Sequence, residues 1–326
     1  KLRGMFSFII YDAEKNTLMA GRDPFGIKPF YYKQNSEGLV ASSEMKAFIF
    51  DPSIEGFGVD TSLLQHYMTY QYVPEPNTIT GQVKILRAGH YFVCQGAGDV
   101  VPVKYVEPRL VPNNTPYEEK LKRVREAVES SVRYHMISDV PVGTFLSSGI
   151  DSAIITAVAS RLTPGIKAFT VAFNEKEYSE IDDAAQIAAH LDVEHITVNG
   201  TPKDFMDAYE DVIFHLDSPT ADPSTVAIYI ICREAARHVK VVLSGEGSDE
   251  LFGGYKVYRD GLATQKIAAL PGFLKSMLRV LANILPEGMK GKQLLIRGTT
   301  PLEHRFVGNA FIFNEEQKKD ILKVYN

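Results

Sequence analysis

Leu146-Ser147-Ser148-Gly149-Ile150-Asp151-Ser152 stands between an apolar strand pattern, Val140-Pro141-Val142-Gly143-Thr144-Phe145-Leu146, and an apolar helix pattern, Ala153-Ile154-Ile155-Thr156-Ala157-Val158. A turn of small residues that leaves a strand and opens a helix aims several backbone N–H groups at one point. The positive end of the helix dipole adds to them, and the combination suits anionic oxygens such as those of a phosphate. The hydroxyls of Ser147, Ser148 and Ser152 add donors, and the Asp151 carboxylate is able to hold Mg²⁺ against the same oxygens. The loop has no Lys, and GxxxxGK[ST] occurs nowhere in the chain, so this is not the usual nucleotide-hydrolysing loop. The pattern suits holding a leaving pyrophosphate. Ser, Gly and Asp are also favoured at plain N-capped turns, so the loop alone leaves both readings open.

A second segment shifts the balance. Val239-Lys240-Val241-Val242-Leu243 is a short β-branched run of the kind a buried parallel strand shows. It leads straight into Ser244-Gly245-Glu246-Gly247-Ser248-Asp249-Glu250-Leu251-Phe252-Gly253-Gly254-Tyr255, with three acids among four glycines. Open α/β sheets bind ligands at such carboxyl-terminal strand ends. Two polar loops, each following a strand, predict one shared Mg-nucleotide site.

Together these segments resemble a known family. Residues 146–152 resemble the pyrophosphate loop, SGGxDS, of the ATP pyrophosphatase superfamily, and Ser244 to Tyr255 resembles the corresponding loop of its glutamine-dependent asparagine synthetase branch. Arg3-Gly4-Met5-Phe6-Ser7-Phe8, Arg22-Asp23-Pro24-Phe25-Gly26-Ile27-Lys28-Pro29-Phe30-Tyr31-Tyr32 and Ser43-Glu44-Met45-Lys46 resemble the later part of that family's glutaminase domain. The three matches fall in family order along nearly the whole chain. The fold this implies is α/β: a β-rich partial Ntn-type glutaminase domain, then a doubly wound parallel-sheet domain of the adenine nucleotide α-hydrolase kind. Expected boundaries are 1–106, a linker at 107–116, and 117–326.

Composition agrees with a two-domain enzyme. The 326 residues suffice for two cores, and 45% hydrophobic with 23% charged residues describes an ordinary soluble globular chain. A net charge of −5, without a basic stripe, argues against a nucleic-acid partner. The apolar stretch from Lys266 to Leu285 is interrupted by Lys275 and Arg279, which argues against a membrane span. Cys94 and Cys232 lack CxxC spacing and read as buried free thiols in a reducing compartment, so a cytoplasmic location is expected and the sequons at Asn113 and Asn199 are coincidental. The family's glutaminase nucleophile is an amino-terminal Cys acting with its own α-amine. Neither cysteine here matches it, so the expectation is a chain shortened at both ends and without glutaminase activity of its own.

Along residues 1–106, short β-rich runs alternate with turns: Phe6–Tyr11, Leu18–Arg22, Phe30–Lys33, Leu39–Ser42, Tyr91–Cys94 and Val100–Val106. Residues 107–116 hold three prolines among polar turn formers. Leu121, Val124, Val128 and Val132 then recur at helical spacing. Strands are predicted at Pro141–Leu146, Ala168–Phe173, Glu194–Val198 and Val239–Leu243, with helices near 152–161, 180–191, 202–213 and 224–237. Beyond Tyr258 the pattern is helical, broken at Pro271, Pro286 and Pro301.

The resemblance and the chemistry together nominate residues. Ser147, Ser148, Gly149 and Ser152 are expected at the pyrophosphate, with Asp151 and Asp249 as Mg²⁺ ligands, direct or through water. Ser244 and Gly245 are expected to present backbone to ATP, since glycine permits close approach. Val171 matches the family position beside the adenine edge, although on pattern alone it reads as a core valine. Glu246 is the catalytic candidate, accepting a proton from attacking ammonia or holding the tetrahedral intermediate. Tyr255 is a candidate wall of the site. Ser148 replaces the second glycine of the family pair, which is tolerable only without positive φ. The acceptor-side segment Leu216 to Thr225 lacks the Arg of one family branch and instead carries a Pro-x-x-Asp-Pro-Ser pattern. The implied activity is amidation of aspartate to asparagine through a β-aspartyl adenylate, with ammonia from glutamine and release of AMP and pyrophosphate. A sugar-acid or lactam-forming acceptor, or nucleotide binding without turnover, is the alternative. Partners are thus small molecules, with a homodimer left open.

Overall fold

The computed structural model describes residues 2–36, 38–54, 57–96, 98–173, 181–286, 288–301, 304–305, 312–313 and 315–325. The amino-terminal part holds two antiparallel sheets. Strands β1 (Ser7–Asp12), β2 (Thr17–Arg22), β6 (His90–Gln95) and β7 (Val103–Lys104) lie in the order β1-β2-β6-β7. β3 (Tyr31–Asn35), β4 (Gly38–Ser42) and β5 (Lys84–Ile85) lie in the order β4-β3-β5. Ala20, Phe92 and Cys94 from the first sheet pack with Phe30 and Leu86, and with Tyr32 and Leu39 of the second, so the sheets form a sandwich. A 3₁₀ helix (Met45–Phe50) and α1 (Leu64–Tyr70) close the far side around Phe48 and Val83.

Buried charge shapes the turn between β2 and β3. Asp23, only 1% exposed, accepts N–H groups of Phe25, Ile27 and Lys28 at 3.0–3.1 Å and of Phe6 at 3.4 Å. Arg22 donates to the carbonyls of Gly26, Lys28 and Leu86 and pairs with Glu75 at 2.6 Å. Burial pushes the Asp23 carboxyl upward, but the four backbone donors outweigh it and hold it below the ordinary range. A depressed folded value means the stabilisation is present above the unfolded value, near pH 4, and is lost as pH falls through the folded one. Asp23→Asn is expected to lose about 1–3 kcal/mol at pH 7. In urea unfolding, that gap should narrow between pH 5 and pH 3; a gap independent of pH would contradict the assignment.

An extended connection leads to α2 (Tyr117–His135) and a four-stranded parallel sheet. Its strands are β8 (Val142–Phe145), β9 (Lys167–Phe173), β10 (Glu194–Gly200) and β11 (Val241–Leu243), ordered β10-β9-β8-β11. α3 (Ile150–Leu162) and α4 (Ile181–Leu191) cover one face, where Leu146 and Ala168 meet Ala184 and Ala188. α5 (Pro202–Asp207), α6 (Tyr209–Leu216) and α7 (Ser224–Ala235) cover the other, where Phe169 meets Ile231 and Ala235. Ala168 and Phe169 point to opposite faces because side chains alternate along a strand, and a sheet buried on both faces needs such apolar neighbours. α8 (Ser248–Phe252), a 3₁₀ turn (Lys256–Arg259), α9 (Asp260–Ala268), α10 (Gly272–Ile284), α11 (Lys292–Thr299) and α12 (Glu315–Ile321) complete the chain.

The expected fold class holds, with local corrections. Val100–Val106 pairs only at Val103–Lys104. The predicted helix 202–213 is two helices parted at Ala208. Position 180 of the predicted helix 180–191 lies outside the described residues, and the helix is seen from Ile181. Cys94 is buried, but Cys232 is exposed, because α7 turns Val226, Ile230, Ile231 and Ala235 inward and leaves Cys232 outside. No single helix among the described residues is long and apolar enough to cross a membrane.

Candidate functional site

The strand order locates a crevice. β8 pairs with β9 on one side and with β11 on the other, so the chain order reverses between β8 and β11. Helices covering opposite faces part at such a switch point, outside the carboxyl ends of the strands. Residues 146–149 follow β8 and residues 244–247 follow β11, so both predicted loops leave the tips of these two neighbouring strands.

The first loop is held from behind. Leu146 donates its N–H to Phe169 at 2.8 Å, and its carbonyl accepts the Thr170 hydroxyl at 2.7 Å. Thr170, 2% exposed, lies 2.8 Å from His195 Nε2. With its proton committed to Leu146, the Thr170 oxygen accepts from an Nε2–H, and burial keeps the imidazole below its ordinary pKa, hence neutral. Behind them, the fully buried Thr156 hydroxyl of α3 donates to Thr144 of β8 at 3.0 Å. These hydroxyls fix the direction in which the loop departs. Sequence reading missed Thr170 and His195; the available signal was a Thr in an otherwise apolar buried strand.

Inside the loop the serines bind one another. Ser147 donates its N–H to Ser152 Oγ at 3.0 Å, the two hydroxyls lie 2.9 Å apart, and Gly149 donates its N–H to Ser147 Oγ at 3.1 Å. Gly149 is the N-cap of α3, in extended backbone, without a side-chain cap. Asp151 therefore does not cap the helix; it lies in its first turn. The first helical carbonyl acceptor is used by Ala153, whose N–H meets Gly149 at 3.2 Å. The N–H groups of Ile150, Asp151 and Ser152 accordingly have no carbonyl behind them, the usual condition of a helix start. Ser148 is not among the positive-φ residues, so its Cβ carries no left-handed strain.

The second loop touches the first. A Cβ placed on Gly245 would lie 3.0 Å from Asp151 C, Asp151 Cβ and Ser152 N. Gly245 needs space rather than positive φ, and the missing side chain is what lets the two backbones meet. Gly247, at φ 86°, needs the left-handed region and turns the chain into α8. Glu246, between them, is exposed. Asp249 is half-buried and lies against Gly254, where a Cβ would come within 1.8 Å of Oδ1. Tyr255 donates its hydroxyl to Glu250 at 2.9 Å. That bond, burial and the negative charges of Glu250, Asp249 and Glu246 raise its pKa to about 12.

The structure thus gathers Ser147, Ser148, Gly149, Asp151, Ser152, Ser244 and Gly245 at two touching loops, with Glu246, Asp249 and Tyr255 in the continuation of the second. Val171 is half-buried against the apolar residues of α6 and α7, beside Phe169 and Ile230. Among the described residues no group of three His, Cys, Asp or Glu side chains forms a ready metal cluster. None of Asp151, Glu246, Asp249 and Glu250 forms an ion pair among the described residues. All the donors here are hydroxyl, carboxylate or peptide oxygens, a hard set that fits Mg²⁺ better than a soft metal.

The asparagine synthase family model matches residues 123–309. The chain belongs to this family. A glutamine amidotransferase domain model matches residues 1–106. As a member of the asparagine synthase family, the chain is 44% identical to asparagine synthetase [glutamine-hydrolyzing] 1 of Bacillus subtilis, covering 100% of this chain and 51% of that protein. A putative asparagine synthetase [glutamine-hydrolyzing] of Mycobacterium tuberculosis is 40% identical, covering 99% and 50% respectively. Asparagine synthetase B of Escherichia coli is 32% identical, covering 78% and 44%. The chain spans about half the length of these curated relatives.

Proposed function

We propose that the crevice between β8 and β11 binds MgATP and activates the side-chain carboxylate of aspartate for amidation. The observation that carries this reading is the backbone contact of Gly245 with Asp151 and Ser152 at the switch point. It joins a donor-rich helix start to a glycine-acid loop, and neither alone would hold a triphosphate in one orientation.

The aspartate carboxylate attacks the α-phosphorus, an acyl adenylate forms, and pyrophosphate leaves. Negative charge grows on the leaving group, where the N–H groups of Ile150, Asp151 and Ser152 and the Ser148 hydroxyl donate to it. The Ser147 and Ser152 hydroxyls, bonded to each other and, from Ser152, to the Gly149 carbonyl, hold the loop in shape and reach phosphate oxygens by exchanging those bonds. Asp151 and Asp249 would hold Mg²⁺, which neutralises phosphate charge when bound. Ser244 and Gly245 present backbone to the nucleotide, and Tyr255 walls the site with its hydroxyl kept protonated. Val171 sits at the adenine end through its backbone edge, its side chain serving the core. Ammonia then attacks the acyl carbon; Glu246 takes a proton from the nitrogen, and AMP leaves with the former carboxylate oxygen. Residues 1–106 belong to a domain of the kind that releases ammonia from glutamine, joined by a linker at 107–116 to the synthetase domain beginning at 117.

Carboxyl-¹⁸O aspartate tests the acceptor. Incubated with MgATP and an ammonium salt, the protein should place one label in AMP and form asparagine. AMP formed only when a different carboxylic acid is supplied would contradict the choice of aspartate.

A further inference from the structure

We propose that Asp217 is a positioning residue through which the amino-terminal sandwich sets the loop at the acceptor side of the nucleotide crevice; the catalytic part of this inference rests on the function proposed above.

The loop in question, residues 217–223, joins α6 to α7. Its location follows from how α7 packs. Val226 and Ile230, in the first half of α7, meet Val171 and Val198 near the carboxyl ends of β9 and β10. Ile231 and Ala235, in the second half, meet Phe169 and Phe145 further back. α7 therefore runs antiparallel to the strands, and the loop before it lies at the same edge of the sheet as residues 146–149 and 244–247.

Both ends of this loop are tied to the other part of the chain. The Asp217 carboxylate, 9% exposed, accepts the backbone N–H of Met45 on Oδ2 and that of Lys46 on Oδ1 at 2.8 Å. Lys46 Nζ lies 3.4 Å from Oδ1 and 4.9 Å above the Phe214 ring of α6. Four residues on, Ala221 donates its N–H to the Gln71 carbonyl at 2.9 Å and accepts the Gln71 side-chain N–H at 2.7 Å. Asp217 and Gln71 both have positive φ, 64° and 66°, a conformation that a non-glycine residue keeps only when its surroundings hold it. Two part-buried backbone donors are matched to one carboxylate, and Ala221 is matched at both its N–H and its carbonyl. The sandwich thus grips the loop at Asp217 and Ala221 and leaves Ser218, Pro219 and Thr220 spanning between the grips. A change in the sandwich at Met45–Phe50 or at the end of α1 reaches the crevice through these bonds, which makes Asp217 the coupling point between the two parts.

Asp217→Asn tests this. It keeps the size and the tolerance of positive φ, but turns one acceptor oxygen into an NH₂ that faces a backbone N–H. Hydrogen–deuterium exchange without nucleotide should show the amides of Met45, Lys46 and Ala221 exchanging at least ~10-fold faster, with β8 to β11 unchanged, since local opening follows the lost hydrogen bonds. Unchanged exchange at these three amides would overturn the grip. In the ammonium-supported reaction, the KM for aspartate should rise roughly 10-fold while ATP affinity stays within a factor of about three. An unchanged aspartate KM, or an equal loss of ATP affinity, would overturn the positioning role. Gln71→Ala makes the same test from the other end of the loop and remains informative where Asp217→Asn does not fold. Absence of AMP formation by the unaltered protein would sink the proposed function alone, because the exchange experiment decides the grip without turnover.

Discussion

Gly245→Val is expected to weaken MgATP binding roughly 10- to 100-fold while leaving the parallel sheet folded. A Cβ at this position already meets three atoms of Asp151 and Ser152 at 3.0 Å, two of them backbone, and the two γ-methyls of valine extend into the same space. The helix start cannot yield easily, because Thr156 ties α3 to β8 and Thr170 ties the loop entry to β9. The second loop must move instead, at an overpacking cost of about 1–3 kcal/mol that falls on the bound state. Titration calorimetry with MgATP measures the loss, and circular dichroism checks the fold. Wild-type affinity in Gly245→Val would mean that the contact does not build the nucleotide site.

Glu246→Gln should separate binding from chemistry. The side chain is exposed, one residue beyond the loop contact, in a turn set by Gly247 at φ 86°. Glutamine preserves its shape and removes only the ability to take a proton. ATP affinity should stay within a factor of about three, whereas asparagine formation falls by about 10²- to 10⁴-fold, the range for loss of a positioned general base. Unchanged turnover would remove Glu246 from the chemistry and leave it a solvated loop acid.

The features legible in the sequence were those that a few neighbouring residues decide. Small residues between Leu146 and Ala153 dictate a strand–turn–helix, which stands where expected. The β-branched run expected as a buried strand over Val239–Leu243 is a strand only at Val241–Leu243, half-buried at Val241 and Val242 because it lies at the end of the sheet order. Pro271 and Pro301 mark helix ends because proline lacks a backbone N–H. Features set by distant partners were not legible. Val100 to Val106 has the propensity for a long strand, but β6 offers it partners only at His90 and Tyr91. The two-residue β5 exists because β3 lies beside it. The break at Ala208 divides a continuous helical pattern, although the Thr201–Asp204 capping box at the start of α5 was readable. The reversal of strand order between β8 and β11 is a matter of sheet pairing, and no local pattern encodes it. Thr170 stands out locally as a hydroxyl in an apolar strand, but its partner Leu146 lies 24 residues away, and those of Asp217 at the junction lie at least 171 away.

The central claim is that two touching strand-tip loops hold ATP so that its β- and γ-phosphates leave together. Chromatography of the nucleotides after incubation with ATP, Mg²⁺, aspartate and an ammonium salt tests it most directly. The account predicts AMP and pyrophosphate in equal amounts, dependent on aspartate; aspartate-dependent ADP and orthophosphate would contradict it.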